Sequence, residues 1–303
     1  MPSVPIVHWL KAFRLRTLPL AFSCIITGTG IAHKEGFFSY KILGLALLTT
    51  LLLQILSNLA NDYGDYTHGA DNEDRIGPLR AVQSGAISSR DMYLAIILFS
   101  LLSLLSGLTL LFTALGGQDL IKTLAFLCLG IGAIWAAIRY TSGKNPYGYK
   151  GLGDVFVFIF FGLVGVIGSY LLYTDQYSYQ LLLPATSIGC FSTAVLNLNN
   201  MRDRINDQAV GKITVAVRLG FNNAKRYQYA LILIGWLLVI LYTYLNYHSV
   251  YQLLFMFSLP LFVKIMVSIH KIETPSHFDP LLKIMALGTF IFSLLFALGN
   301  IAS

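Results

Sequence analysis

Charge is scarce in this chain. Only 12% of its 303 residues are Asp, Glu, Lys or Arg, against about 25% in soluble domains, which excludes an ordinary water-solvated fold. Cysteine is scarcer still, with only Cys24, Cys128 and Cys190. Each lies in a separate apolar stretch and none forms a CxxC pair. That excludes a disulfide framework and a thiolate metal site, and leaves small packing residues. There is no low-complexity linker and no polar stretch long enough for a soluble domain, so one domain over residues 1–303 is expected. No His or Ser is placed as a nucleophile beside a general base, which argues against a membrane phosphatase or hydrolase.

Apolar residues fill the space. They make up 56% of the chain, and the mean hydropathy is +0.68. A helix of about 20 apolar residues crosses roughly 30 Å of hydrocarbon. Runs of that kind predict an all-α, polytopic membrane protein of about nine spans. They fall near residues 18–33, 42–61, 93–115, 120–140, 152–173, 180–198, 228–246, 250–269 and 283–301. Tyrosines, Pro260 and Lys264 interrupt the last three. The basic, apolar N-terminus reads as the first span rather than a cleaved leader, because the later charge pattern depends on it.

The net charge of +7 reflects basic loops, not nucleic-acid binding. With nine spans, 18 of the 21 Lys and Arg residues fall on one side, and only Lys34, Lys41 and Lys122 fall opposite. Basic loops stay cytosolic, so the N-terminus is expected in the cytosol. Eleven of the 14 acids share that side, leaving Glu35, Asp119 and Asp175 across from them. Acids contribute little to orientation, so their clustering points to chemistry at the cytosolic face.

Two acidic segments carry that chemistry. The first reads Asn58-Leu59-Ala60-Asn61-Asp62-Tyr63-Gly64-Asp65, followed by Asp71, Glu73 and Asp74. On a continuing helix, Asn58 and Asp62 lie one turn apart, as do Asn61 and Asp65. The second runs from Asn197 to Asp207, with Asn199, Asp203 and Asp207 at four-residue intervals. The shared Asn-Leu-x-Asn at 58–61 and 197–200 is a faint internal echo. Carboxylate and amide oxygens are hard ligands suited to Mg2+, which keeps several waters and binds through a few carboxylates plus phosphate oxygens. Two such clusters facing one cavity would hold a diphosphate through bridging metal ions. Arg75 and Arg80 follow the first cluster, and Lys212 and Arg218 the second. These cations suit phosphate oxygens.

At these residues the sequence resembles the UbiA superfamily of intramembrane aromatic prenyltransferases, and within it the 1,4-dihydroxy-2-naphthoate polyprenyltransferases of menaquinone synthesis. The resemblance rests on Asn61-Asp62-Tyr63-Gly64-Asp65-Tyr66, Arg75-Ile76-Gly77-Pro78-Leu79-Arg80, Asn200-Met201-Arg202-Asp203 with Asp207, and Gly211-Lys212. Arg16-Thr17-Leu18-Pro19 and Pro146-Tyr147-Gly148-Tyr149-Lys150-Gly151-Leu152-Gly153-Asp154 add to it, so it covers about residues 9 to 220. It implies helices around a central cavity in the bacterial cytoplasmic (inner) membrane, open to the cytosol and laterally to lipid. It also implies Mg2+-dependent transfer from a polyprenyl diphosphate to 1,4-dihydroxy-2-naphthoate through an allylic cation, with loss of carbon dioxide. By that resemblance Asn58, Asp62, Asp65, Asn200, Asp203 and Asp207 serve the metal ions. Arg75, Arg80 and Lys212 contact the diphosphate. Asn58, Asn61 and Asn200 are expected to help bind substrate, and Tyr140 joins the catalytic set on separate, cation–π grounds. The first cluster has Gly69 where a third acid four residues after Asp65 would stand, which leaves the role of Asp71 open.

An allylic cation must be kept from water, and aromatic rings favour it by cation–π attraction. Tyr140, Phe156, Phe158, Phe160 and Phe161 are expected near the cytosolic entrance. Two other readings stand. One is prenyl transfer to another acceptor, such as 4-hydroxybenzoate. The other is a transporter, which is disfavoured because the spans are nearly free of charge at mid-depth.

Overall fold

Lipid cannot satisfy backbone N–H and C=O groups, so long apolar runs without strand alternation enter it as helices. The computed structural model describes residues 4–72, 76–117 and 119–303, and these hold helices and no strands. The chain opens with α1 (Ile6–Phe13), α2 (Leu18–Lys34), α3 (Tyr40–Thr67), α4 (Ser89–Leu115) and α5 (Leu120–Arg139). It continues with α6 (Gly153–Leu171), α7 (Leu182–Ala209), α8 (Val215–Leu245), α9 (Val250–Lys271) and α10 (Phe278–Ile301). With α1 and α2 taken together, nine helices among the described residues are long and apolar enough to cross a membrane. The protein is a multi-pass membrane protein, as its hydropathy requires.

Local chemistry sets the boundaries. Ser39, Ser88, Asp119 and Thr214 accept backbone N–H bonds at the starts of α3, α4, α5 and α8, each satisfying a donor that the helix leaves orphaned. Arg14 adopts a left-handed φ of 50° between α1 and α2. Pro260 occupies the first turn of the α-wound part of α9, where its missing N–H removes no bond.

Two helices run further than their apolar runs suggest. The sixth span, placed by sequence at 180–198, continues to Ala209. Tertiary bonds hold its polar end, including Asn206 Nδ2 to the carbonyl of Ala70 at 2.8 Å. The seventh, placed at 228–246, begins at Val215, and Gly220 kinks it with φ 72° and ψ 171°. Only the stretch after Gln228 is largely apolar, and that is the part the sequence marks as a span. In α6 the winding widens to a π-helix over Phe158–Ile167. A Cβ at Gly162 would come within 2.7 Å of the Ala185 carbonyl and Gly189 Cα of α7, so the glycines here serve close helix packing.

α7 occupies the centre, packed on α6, α8 and α10, while α2 packs on α10, α3 and α6. Phe191 anchors this larger core, with Phe262 at 4.7 Å and Phe292 at 5.2 Å between ring centroids. Such aromatic pairs add about 0.5–1.5 kcal/mol each beyond the area they bury. A second packed group joins α1, α3 and α4 through Leu56, Leu59 and Met92. A cavity remains among α2, α3, α4, α5, α6 and α7, and both acidic helix ends meet at its polar end.

Candidate active site

The end of α3 is buried although it is polar: Asn58, Asp62 and Asp65 are all under 5% exposed. Buried polar groups need partners, and each of these has them. Asn58 Nδ2 donates to the Phe13 carbonyl at 2.9 Å and to Thr17 Oγ1 at 3.1 Å, tying α3 to the α1–α2 corner. Asp62 accepts the backbone N–H of Ala81 at 3.0 Å and of Val82 at 3.2 Å, one on each oxygen. It therefore caps the turn that follows Arg80. Asp65 faces the other way. Its Oδ2 lies 2.8 Å from Arg80 Nη1, while Oδ1 accepts from the Tyr149 hydroxyl at 2.9 Å and lies 3.4 Å from Lys212 Nζ. Arg80 also donates to the Asn61 carbonyl at 2.6 Å and lies 3.1 Å from Asp71. Asn61 Oδ1 accepts from Thr141 Oγ1 at 3.3 Å.

The end of α7 mirrors this density. Asn200, Arg202, Asp203, Asn206 and Asp207 are each buried. Arg202 grips Asp203 with two nitrogens, at 2.8 and 2.7 Å, and reaches Asn199 at 2.9 Å and Asp279 of α10 at 2.6 Å. Asp207 Oδ1 lies 3.6 Å from Lys212 Nζ.

Lys212 thus touches one carboxylate from each cluster, and its ammonium sits 5.3 Å from the Tyr149 ring centroid. Burial works to lower the Lys212 pKa, but Asp65 and Asp207 outweigh it and hold the group above its ordinary value. Arg80 is governed by the same opposition, with Asp65 and Asp71 prevailing over desolvation. Both cations stay charged. Burial, and after it Asp65, push the Tyr149 phenol up, so it keeps the proton it donates.

Five buried carboxylates, Asp62, Asp65, Asp71, Asp203 and Asp207, meet three buried cations here, Arg80, Arg202 and Lys212. The donors are hard oxygens, and Lys212 already bridges the two clusters as a cation, so the set suits a divalent ion such as Mg2+. No three metal-type side chains converge on one point among the described residues. Ligands from a bound phosphate group would have to complete such a site.

The cavity leading away from these charges measures about 460 Å³. Arg14, Asn61, Asp65, Arg80 and Lys212 line its polar end, and leucines, isoleucines and aromatics line the rest. Tyr140, Phe156, Phe160 and Phe161 are on its wall, as the sequence suggests. Phe158 is not. Its ring turns towards α7, where a Cβ on Gly189 would meet it at 2.8 Å. Tyr147 stacks on Phe156 with centroids 4.0 Å apart, extending the aromatic wall. Two glycines clamp Tyr140: a Cβ on Gly148 or on Gly153 would come within 2.9 Å of its ring.

Asn58, Asn61, Asp65, Arg80, Tyr140 and Lys212 line the cavity, whereas Asp62, Asn200, Asp203 and Asp207 are buried in the clusters beside it without lining it. Arg75, with Glu73 and Asp74, lies outside the described residues. Sequence reasoning missed Tyr149 as the partner of Asp65, although it stands within the 146–154 stretch. It also missed Asp279, an isolated acid without a local pattern.

The UbiA prenyltransferase family model matches residues 21–299. The "1,4-dihydroxy-2-naphthoate octaprenyltransferase" of Escherichia coli (strain K12) is 45% identical over 291 residues, covering 96% of this chain and 94% of that relative. The protein of the same name from Haemophilus influenzae is 42% identical over 294 residues, with the same coverage. Among solved structures, a UbiA homolog from Archaeoglobus fulgidus bound to GPP and Mg2+ matches with a TM-score of 0.66. It is 18% identical and covers 97% of this chain and 98% of that one, a likeness of fold. With a family model and close relatives matched along nearly its whole length, the chain belongs to the UbiA prenyltransferase family.

Proposed function

We propose that the protein transfers a polyprenyl group from polyprenyl diphosphate to 1,4-dihydroxy-2-naphthoate, releasing carbon dioxide and diphosphate and giving demethylmenaquinol. One observation carries the reading furthest. Lys212 contacts Asp65 of one cluster and Asp207 of the other, at the head of an apolar, aromatic-walled cavity. A charged head group and a prenyl tail require that division of polarity. The names of the relatives at 45% and 42% identity support the naphthoate acceptor.

Asn58, Asp62 and Asp65 on α3 and Asn200, Asp203 and Asp207 on α7 would hold Mg2+. When bound, Mg2+ neutralises diphosphate charge and makes it a better leaving group. Arg80 and Lys212 stay cationic beside Asp65 and donate to diphosphate oxygens as the allylic C–O bond breaks. Asn61 at the cavity wall orients the head group. The apolar cavity takes the tail and keeps water from the allylic cation. Tyr140, Tyr147, Phe156 and Phe160 present ring faces to that positive charge. The electron-rich naphthoate ring then forms the new C–C bond, and carbon dioxide leaves with its bonding pair returned to the ring. The 18 cytosolic-side cations support placing the N-terminus and this site at the cytosolic face of the bacterial inner membrane.

The test is prenyl transfer by purified protein in detergent, with a polyprenyl diphosphate, 1,4-dihydroxy-2-naphthoate, and either Mg2+ or a chelator. Metal-dependent demethylmenaquinol with no 4-hydroxybenzoate product is expected. Product from 4-hydroxybenzoate alone would keep the family and overturn the acceptor.

A further inference from the structure

Arg202 is 2% exposed and among the largest fully buried side chains of the described residues, yet it makes no contact with Asp65 or Asp207 in its partner set. Its guanidinium is divided between two carboxylates. Nε and Nη2 hold both oxygens of Asp203, and Nη1 holds Asp279 at 2.6 Å. Asp279 stands in the first turn of α10, where the helix end favours an anion. A second cation, Arg16 of the α1–α2 corner, lies 4.0 Å from it. Asp203, Arg202, Asp279 and Arg16 therefore form one alternating chain of charge across α7, α10 and the α1–α2 corner.

A carboxylate held on both oxygens by a guanidinium is a poor ligand for another cation until that grip loosens. A guanidinium buried this deeply cannot let go unless a second anion keeps it neutralised. Asp279 is placed to be that anion. We propose that Asp279 is a positioning residue for the second aspartate cluster, drawing Arg202 aside so that Asp203 can accept a divalent cation. The inference rests on the reading of Asp203 as a metal ligand. It gives the C-terminal helix a part in metal loading that its sequence does not signal. Outer groups of this kind tune metal affinity by about 10- to 100-fold when mutated.

The test is Mn2+ binding to the full-length protein in detergent, read as the loss of free-ion EPR signal beyond that in a protein-free sample holding the same inorganic diphosphate. Asp279→Asn should raise the half-saturating Mn2+ concentration about tenfold, while Asp279→Glu should restore it to near the wild-type value. Glu273→Gln removes the same formal charge from an exposed residue near the start of α10, and should leave binding unchanged. Thermal unfolding of each variant confirms that it is folded. Wild-type Mn2+ affinity in Asp279→Asn would overturn the proposal, as would an equal loss in Glu273→Gln, which would reduce the effect to bulk charge. Asp203→Asn separates the two layers. If it binds Mn2+ as tightly as the wild type, the metal assignment itself fails, and the role of Asp279 fails with it.

Discussion

The Tyr149 hydroxyl donates to Asp65 Oδ1 across 2.9 Å, joining the loop before α6 to the end of α3. Asp65 is 2% exposed, so this bond fixes a carboxylate that also carries Arg80 and Lys212. A hydrogen bond to a charged group contributes about 1.5–3 kcal/mol. Tyr149→Phe removes it without changing the ring over Lys212. Prenyl transfer should fall about 10-fold in kcat/KM, with the protein still folded. The wild-type phenol is held above its ordinary pKa by burial and by Asp65, so it remains a donor as the pH rises through 10. Activity should therefore show no loss in that range that Tyr149→Phe abolishes. A pH–rate profile of both proteins checks both points.

How much of this was legible can be judged from single residues. Apolar runs of about 20 residues located every span, because hydrocarbon thickness leaves few alternatives. Asp65, Arg80 and Lys212 could be picked out because acids and bases crowd one face. Asn58 could be picked out too, but its bonds to Phe13 and Thr17 depend on where α1 folds back, which no local pattern encodes. Phe158 failed for a similar reason. Phe156, Phe158, Phe160 and Phe161 look alike in sequence, and the winding of α6, a π-helix from Phe158 on, sets which ring faces α7. Asp279 was invisible because its partner stands 77 residues away.

Asp62 has two jobs in this fold. Both its oxygens accept backbone N–H groups of the turn at Ala81 and Val82, and it is also a proposed metal ligand. Asp62→Ala should abolish turnover and also loosen that turn, by about 0.5–2 kcal/mol as for other lost caps. Asp203→Ala should abolish turnover and leave the turn intact. Hydrogen exchange at Ala81 and Val82, read beside activity, distinguishes the two. Unchanged exchange in Asp62→Ala would remove the capping role.

Arg80 binds Asp65 at 2.8 Å, Asp71 at 3.1 Å and the Asn61 carbonyl at 2.6 Å while only 9% exposed. Removing one partner from a buried ion pair costs about 3–5 kcal/mol. Arg80→Ala should lower the unfolding midpoint in detergent markedly. Arg80→Lys keeps the charge but loses the planar fork, so it should recover part of the stability and little of the activity. Equal midpoints for the two variants would show that the fork geometry contributes nothing to the fold.

Tyr140 owes its position to what its neighbours lack. A Cβ on Gly153 would lie 2.9 Å from ring atom Cε2 and 3.2 Å from the hydroxyl oxygen. Gly153→Ala therefore has to push the ring along the cavity wall. If Tyr140 faces the allylic cation, that displacement should lower kcat by about 10-fold or more, since each 1.36 kcal/mol lost at the transition state is a factor of ten. The KM for polyprenyl diphosphate should barely move, because Asp65, Arg80 and Lys212 are untouched. In a Tyr140→Leu background the same alanine has no aromatic ring to displace, so its effect on kcat should largely vanish. Non-additivity of this kind is expected only for residues that act through each other. An additive pair would mean that Gly153 serves the backbone of the 146–154 loop alone, and that the clamp on Tyr140 has no part in the reaction.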